Sequence, residues 1–484
     1  MTNIGPIAPA VAEQTTFAET VDVVVVGLGI AGTCATIAAA AAGASVLGVE
    51  RAMVAGGTSA LSGGLMYLGG GTPIQHACGY SDTAENMERF LLAACGPRTD
   101  ATKVHAYCEG SVAHYHWLVE HGVPFKGQFN DEPNREPFDD SGLVFSGGED
   151  SWPFTDIADP VPRGHHPQFP DTAGGFLMDC LGAARAGTEA RALTDARVER
   201  LVVDRDGVIA GVEITADGTT RAVRARRGVV LAAGGFVYND DMLGHYCPAA
   251  LQPNVAWRVG QPNDDGRGIR LGQGVGAAVR NMDAVECALP LGPPHRLARS
   301  ILVNARGERF VNEDTYTGRI GMRALLEQGG EVYMIVSEAI FETNFVGMRI
   351  TWAADTAAEL AHDIGLTESA ARTLTATLAR YNRHAANGRD PEHHKAAPFV
   401  VPLVAPLGAV DLRVDHDAIY APFTLGGLAT DSEGAVLDAT ETPIPGLFAA
   451  GRATAGIAAG GYVSGISLGD GSFFGRRAGT AAAG

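Results

Sequence analysis

The chain has 484 residues, of which 46% are hydrophobic and 19% charged, with a formal net charge of −19, enough apolar material for the cores of two or three domains. That acidic balance weighs against nucleic acid and anionic membrane as partners, since phosphate polymers are held by clustered Lys and Arg. Seven cysteines, none in a CxxC pair, supply neither a disulfide framework nor a zinc cluster, which points to a reducing, cytoplasmic setting. Residues 1–20, MTNIGPIAPAVAEQTTFAET, have no basic start followed by an apolar core and read as a disordered tail, not a signal peptide. Asp22 to Val26 reads as a short buried strand, Ile30 to Ala42 as a helix packed on it and Ser45 to Glu50 as the next strand, together a βαβ unit. Gly27, Gly29 and Gly32 interrupt its apolar runs, so no integral membrane segment is expected. Leu201 to Asp204, Val208 to Ile214 and Thr220 to Arg224 form a predicted meander with turns at Asp206-Gly207 and Asp217-Gly218. Gly228 to Ala233 is a further buried strand, and Gly266 to Gly276 has helical spacing. After Asn281 the texture changes to mixed apolar and charged segments, with helices expected near Arg323 to Gln328 and Glu368 to Asn387. Residues 283–433 are therefore assigned to a second domain. Gly446 to Ala450 and Ser467 to Ala478 return to strand then helix, so residues 21–282 and 434–484 are read as one α/β domain, discontinuous in sequence.

Gly27, Gly29 and Gly32 form GxGxxG directly after a strand and opening a helix, where the amides of Ile30 and Ala31 can hold a pyrophosphate. Glu50, eighteen residues beyond Gly32, ends the next strand, where its carboxylate can hydrogen-bond both ribose hydroxyls; Arg51 follows it. An adenine dinucleotide fits, with FAD and NAD both open at this point. The loop Gly56-Gly57-Thr58-Ser59-Ala60-Leu61-Ser62-Gly63-Gly64 offers small residues and hydroxyls to wrap a second phosphate and a ribityl chain, against the alternative of a flexible turn. Val230 to Phe236 and Gly446 to Arg452 each end a buried strand in small residues, as needed where backbone crosses close to a cofactor. Together these features favour FAD, with Gly57, Thr58, Ser59, Ser62, Gly63, Gly64, Val198, Ala233, Gly234, Gly451 and Arg452 as further expected contacts.

Four stretches then recur in a familiar order: the strand-end glycines, Asn304-Ala305-Arg306-Gly307-Glu308-Arg309-Phe310-Val311-Asn312-Glu313, Phe423-Thr424-Leu425-Gly426-Gly427-Leu428 and Gly465-Ile466-Ser467-Leu468. In these the chain resembles the flavoprotein family that contains fumarate reductases and 3-ketosteroid dehydrogenases, over nearly its whole length. The resemblance implies noncovalent FAD in a Rossmann-like domain of the glutathione-reductase type, with the flavin ring facing an inserted α+β catalytic domain. Ser467 and Leu468, opening the last helix, would face the pyrimidine edge of the flavin and stabilise negative charge on the reduced ring.

Within the family, fumarate reductases hold a dicarboxylate with His and Arg. Here Phe423 stands where their histidine precedes the Gly-Gly motif, and Thr317 stands where their proton-delivering arginine falls four residues after the glutamate. Dehydrogenases of the steroid 1,2-bond carry a late Tyr-Pro-Gly-type signature, whereas this chain has Gly461-Tyr462-Val463-Ser464-Gly465. It is more similar to the 3-ketosteroid Δ4-dehydrogenases of the 5α type, whose tyrosine after Asn-Glu and late Tyr-x-Ser match Tyr316, Tyr462 and Ser464. The implied reaction oxidises a 3-ketosteroid to its 4-ene and needs a base for the α-proton, donors for the developing enolate oxygen and a hydride acceptor. Tyr462 hydroxyl and a backbone amide of the Gly426-Gly427 pair are assigned to the ketone oxygen, with Phe423 lining the substrate site. Ser464 and Tyr316 are expected to pass the α-proton outward, although a tyrosine with pKa ~10 needs activation by a neighbour or by solvent. Alternatives at this stage are a reductase of an activated C=C bond, a 3-ketosteroid 1-dehydrogenase, or an FAD-binding scaffold or sensor. The expected partners are a steroid or other apolar ketone and an electron acceptor that the sequence does not name. The pairs His165-His166 and His393-His394 read as solvated loops and not metal sites, and Tyr115 and His116 as core packing near Trp117.

Overall fold

A computed structural model of the chain describes residues 4–252, 257–416 and 418–484. Its centre is a nine-stranded sheet. The strand Phe17–Val26 runs through the middle, its last six residues buried between the parallel neighbours Val46–Val49 and Thr219–Leu231. A strand covered on both sides needs a continuous apolar run, and Val23 to Val26 supply it. Thr219–Leu231 is one strand of 13 residues where the sequence suggests two. On one edge it runs parallel to Phe17–Val26 from Ala222 to Leu231, with a register break between Ala225 and Gly228; on the other its first half pairs antiparallel with Ile209–Ala216 and its end parallel with Pro443–Ala449. The Asp217-Gly218 turn has φ of 50° and 71°, the two positive values that let a two-residue turn follow the twist of its strands.

Residues 4–20, expected to be a disordered tail, are ordered on this sheet; residues 1–3 lie outside the described residues. Ala10–Val11 pairs parallel with Ala196–Val203, Ile7 N–H donates to Arg270 O at 2.9 Å, and Phe17 to Thr20 open the central strand. The cause is tertiary: an unpaired strand edge offers backbone partners to a segment whose own composition does not announce a strand.

The helices Ile30–Ala41 and Ile466–Ala483 pack against each other through small residues. A Cβ on Gly475 would lie 2.3 Å from Ala31 O, and one on Gly479 would lie 2.2 Å from Ala35 O. The alanine-rich first helix and the Ala-Gly chain end, of low complexity as sequence, are thus two halves of one close contact. Among the described residues no helix is long and apolar enough to cross a membrane.

A second sheet of four antiparallel strands has the order Ile301–Asn304, Val332–Ser337, Leu407–Asp411, Trp352–Ala354. Helices Ala357–Ile364 and Glu368–Ala385 cover one face through Leu360, Leu374 and Leu378. The other face packs on Ile320, Ala324 and Leu325, from the helix Thr317–Met322 and the π-helical turn Arg323–Glu327 that follows it. The Asn304 to Glu313 motif turns out to be a buried ionic anchor for this sheet. Arg309 pairs with Glu313 at 2.8 Å and with Asp390 at 2.8 Å, Lys395 pairs with Glu313 at 2.7 Å, and none of these side chains is more than 3% exposed. Two short ladders join the sheets: Val279–Arg280 with Gly427–Leu428, and Val285–Ala288 with Ala421–Thr424. They set Glu286 directly opposite Phe423, with Gly426 in the turn between.

Candidate active site

A groove of about 970 Å³ crosses the carboxyl ends of the parallel strands, the place where open α/β sheets bind ligands. Gly27 lies at φ 93°, and a Cβ there would meet Ala232 O at 2.5 Å, so the strand end can turn only as glycine. Gly32 has no room either, since a Cβ would fall 1.8 Å from Gly27 O. It packs helix on strand behind the groove and does not line it. Gly29 caps the helix Ile30–Ala41 without any side-chain capping bond, which leaves the positive end of the helix facing the groove. Glu50 is buried, its Oε2 accepting from Leu28 N at 2.8 Å and its Oε1 from Ala52 N at 2.9 Å. Each oxygen keeps a lone pair for a ribose hydroxyl.

The lining also contains Ile30, Ala31, Arg51, Gly57, Thr58, Ser59, Val198, Ala233, Gly234, Gly451, Arg452, Ser467 and Leu468. Ser59 Oγ accepts from Ile30 N at 3.1 Å, tying the small-residue loop to the helix start. Ser62, Gly63 and Gly64 do not line this groove: Ser62 Oγ donates to Ser59 O at 2.7 Å, and Gly64, at φ 90°, packs on Ala173. The sequence reading missed one whole wall, Gln261, Asn263, Asp264, Asp265, Arg267 and Gly268. Asp264 accepts from Thr58 Oγ1, and Arg51 pairs with Asp265 at 2.6 Å. The run Asn263-Asp264-Asp265-Gly266 before the helix Arg267–Gln273 carried the available signal, that of a polar turn opening a helix.

At the far end of the groove the helix Ile466–Ala483 begins after Gly465, at φ 95°, again without a side-chain cap. An aromatic cluster stands beside it. Tyr462 donates from its hydroxyl to Ser467 Oγ at 3.0 Å, and its ring meets Phe423 edge-on with centroids 5.1 Å apart. Tyr316 lies with its ring centroid 6.4 Å from that of Tyr462. The Arg452 guanidinium lies 5.0 Å over the Phe423 ring, and Gly426 packs on the backbone of Asn281 and Met282. Ser464 is held through its backbone, its N–H donating to Ser146 O at 3.2 Å and its carbonyl accepting from Ser146 Oγ at 3.0 Å.

The neighbour of the Tyr316 hydroxyl is a carboxyl group that the sequence did not single out. The hydroxyl donates to Glu286 Oε1 at 2.9 Å, and Glu286 is only 1% exposed. Burial pushes the Glu286 carboxyl up to about 8, against the lowering effect of the tyrosine bond. Burial, followed by the nearby Glu286, holds the Tyr316 phenol well above its ordinary value, and burial pushes Tyr462 up to about 12. Both phenols are therefore neutral donors at neutral pH. No sequence pattern marks Glu286, which lies in an ordinary strand and becomes special only through the strand opposite.

The histidine pair expected in a solvated loop is buried instead. His165 and His166 are each 0% exposed, His165 Nε2 sharing a 2.7 Å hydrogen bond with Thr72 Oγ1 and its pKa pushed down to about 4 by burial. Strand Gly164–His165 lies inside a small sheet, which the local sequence does not show. Tyr115 packs with Phe125 and His165, whereas His116 is exposed. Arg319, two residues beyond Thr317, is occupied by Trp152 O, Asn312 Oδ1 and Thr315 Oγ1.

The sequence model of the family described as FAD binding domain matches residues 22–468. The chain is 27% identical to a 3-oxo-5-alpha-steroid 4-dehydrogenase of Comamonas testosteroni, over 91% of this chain and 94% of that protein. It is 28% identical to a probable fumarate reductase, Ifc3, of Shewanella frigidimarina (strain NCIMB 400), over 96% of this chain and 75% of that one. Among solved structures, a 3-ketosteroid-delta4-(5alpha)-dehydrogenase from Rhodococcus jostii RHA1, in complex with 4-androstene-3,17-dione, is 47% identical and superposes with a TM-score of 0.94, covering 99% of this chain and all of that one.

Proposed function

This chain belongs to the FAD binding domain family and is an FAD-dependent oxidoreductase, and from that premise we propose that it dehydrogenates a 3-ketosteroid to the 4-ene. The observation that carries the reading is the pair of neutral phenols, Tyr316 and Tyr462, with Phe423 set edge-on to Tyr462 where the groove meets the start of the last helix. A C4 dicarboxylate requires cationic partners, and the positions that would supply them hold Phe423 and Thr317, with Arg319 turned to Trp152 and Asn312. The similarity to the Rhodococcus enzyme, whose complex holds a steroid, supports the same substrate class.

The groove fits FAD by its own features. Gly27, Gly29 and the uncapped helix start accept the pyrophosphate, Glu50 the ribose, and the loop from Gly56 with Asp264 the ribityl side. The lining contains neither His nor Cys, in keeping with noncovalent attachment. When bound, the flavin supplies the hydride-accepting centre. Residues 283–433 are read as a catalytic domain inserted into a glutathione-reductase-type fold.

The protein's own residues do the rest. Tyr462 hydroxyl, which accepts from Ser467 N–H at 3.4 Å, turns its one proton from Ser467 Oγ to the ketone oxygen, and with the amide at Gly426-Gly427 stabilises the charge that oxygen gains as the α-proton leaves. Tyr316 takes that proton. Ser464, two residues from Tyr462, is assigned with Tyr316 to the path of the α-proton. Phe423 and the two tyrosine rings exclude water around an apolar ring system.

Anaerobic titration of the yellow holoprotein with saturated 3-ketosteroids of both ring fusions tests this. Stoichiometric bleaching of the flavin by one ring fusion is expected. Bleaching by no ketosteroid, with reoxidation of reduced protein by fumarate or another unsaturated acid, would move the chain to the reductases.

A further inference from the structure

We propose that Glu286 receives the proton that Tyr316 removes from the substrate, so that the relay ends on a buried carboxylate. This deepens the ketosteroid reading and rests on it. Tyr316 hydroxyl donates to Glu286 Oε1 at 2.9 Å, and among the described residues Oε2 has no hydrogen-bond partner. Among the described residues no cation is paired with this carboxylate, and it is only 1% exposed. A core tyrosine needs only one acceptor, which a backbone carbonyl supplies at little cost, as Leu412 O does for Tyr420 at 2.9 Å. A buried, unpaired carboxyl group is far more costly. The fold nonetheless builds it in: the ladder sets Glu286 opposite Phe423, and Gly318 leaves the space in which phenol and carboxyl meet. A Cβ on Gly318 would lie 2.1 Å from Glu286 Oε1 and 2.3 Å from Tyr316 Cε1.

The step balances as follows. The α-C–H bond breaks and its proton bonds to the Tyr316 oxygen, while the phenolic proton passes to Glu286 Oε1. The electron pair left on carbon forms the new C=C as hydride leaves the β-carbon. The substrate loses two electrons, FAD gains them, and the carboxylate becomes a carboxylic acid. Tyr316 never carries a full negative charge, in keeping with a phenol held well above its ordinary pKa, whereas a carboxyl group near 8 suits a base at neutral pH. The titratable groups around the pair are Tyr462 on the C-terminal loop and Cys287 on the same strand; Glu136 acts on Tyr316 from the segment before Pro137. The facing strand contributes Phe423, with Arg452 over its ring, and the helix Thr317–Met322 contributes Gly318. Glu286 touches substrate only through Tyr316 and is a positioning residue.

The test is stopped-flow reduction of the anaerobic holoprotein by the active ketosteroid across pH, with infrared difference spectra of the same reaction. In the wild type the rate should rise with pH through an inflection at about 8 and level off above it, and a protonated-carboxyl band should appear as the flavin bleaches. Glu286→Gln should remove both the inflection and the band, slow reduction by about 100-fold or more, and leave FAD and steroid dissociation constants unchanged. Tyr316→Phe, which keeps Glu286 but cuts the link, should also lose the inflection, and the double variant should be no slower than Tyr316→Phe. A Glu286→Gln protein with the wild-type profile, a band that survives in it, or a double variant slowed by the product of the two single effects would overturn the proposal while the ketosteroid reading stands. A wild type bleached by no ketosteroid overturns the reading, and this inference with it.

Discussion

Replacing Tyr462 by phenylalanine removes one hydroxyl and almost nothing else. The ring keeps its edge contact with Phe423 at 5.1 Å and its place 6.4 Å from Tyr316, so substrate should be gripped as before. What is lost is one of the two neutral donors that the proposed mechanism assigns to the ketone oxygen, the other being the amide at Gly426-Gly427. Deleting one such donor costs about 2.7–4 kcal/mol of transition-state stabilisation, or about 100- to 1000-fold in rate. The loss to folding is smaller, about 0.5–1.5 kcal/mol, because the partner Ser467 is half-buried and water can replace the hydroxyl. Single-turnover flavin reduction, read beside the thermal midpoint and the steroid dissociation constant, separates these quantities. The limiting rate should fall at least 100-fold, with the dissociation constant changed less than threefold or so. A limiting rate within tenfold of the wild type, or an effect confined to binding, refutes the assignment of Tyr462 to the ketone oxygen.

Glu50→Gln sets an amide donor against the N–H of Leu28 or Ala52 and weakens a charged acceptor for the ribose, so FAD affinity should fall about 10- to 100-fold. Equilibrium dialysis of the flavin measures this, and unchanged affinity would remove Glu50 from the cofactor site. Arg309→Met leaves Asp390 and half of Glu313 uncompensated inside the second sheet and should destabilise it by about 3–5 kcal/mol, visible as faster hydrogen exchange in residues 301–337 with FAD still bound. The same cluster sets an acid limit. Burial alone would raise Glu313 and Asp390, but Arg309 and Lys395 hold both below their ordinary values. Their contribution is therefore present above the carboxylate range of the unfolded chain and lost as pH falls through the depressed folded values. Thermal midpoints of Arg309→Met should thus depend less on pH than those of the wild type on the acid side. Gly479→Val would drive a side chain into Ala35 O, 2.2 Å from the glycine's missing Cβ. Its soluble yield and flavin content should both collapse, since the helix whose first residues line the groove packs through this contact.

The dinucleotide groove was legible because its constraints are local. A strand end that must turn at φ 93° against Ala232 accepts only glycine, and a carboxylate at the end of the next strand is useful to a ribose whatever else the chain does. The two tyrosines could be singled out from their place in ordered motifs. Residues 4–20 could not be placed, because their partner is the edge of a strand almost two hundred positions away. Nor could the burial of His165 and His166, which depends on neighbours that local polarity does not reveal.

The sequence by itself determined the cofactor class and the order of the chain's motifs, since backbone geometry and side-chain chemistry at each of those places are nearly self-sufficient. Only the tertiary structure decided that Tyr316 leans on Glu286 and that Arg309, Glu313, Asp390 and Lys395 form a single buried cluster. A carboxyl group's behaviour is set by what surrounds it in space. The residues that surround Glu286, Tyr316 from 30 positions away and Phe423 from the facing strand, meet it only when the two sheets are joined.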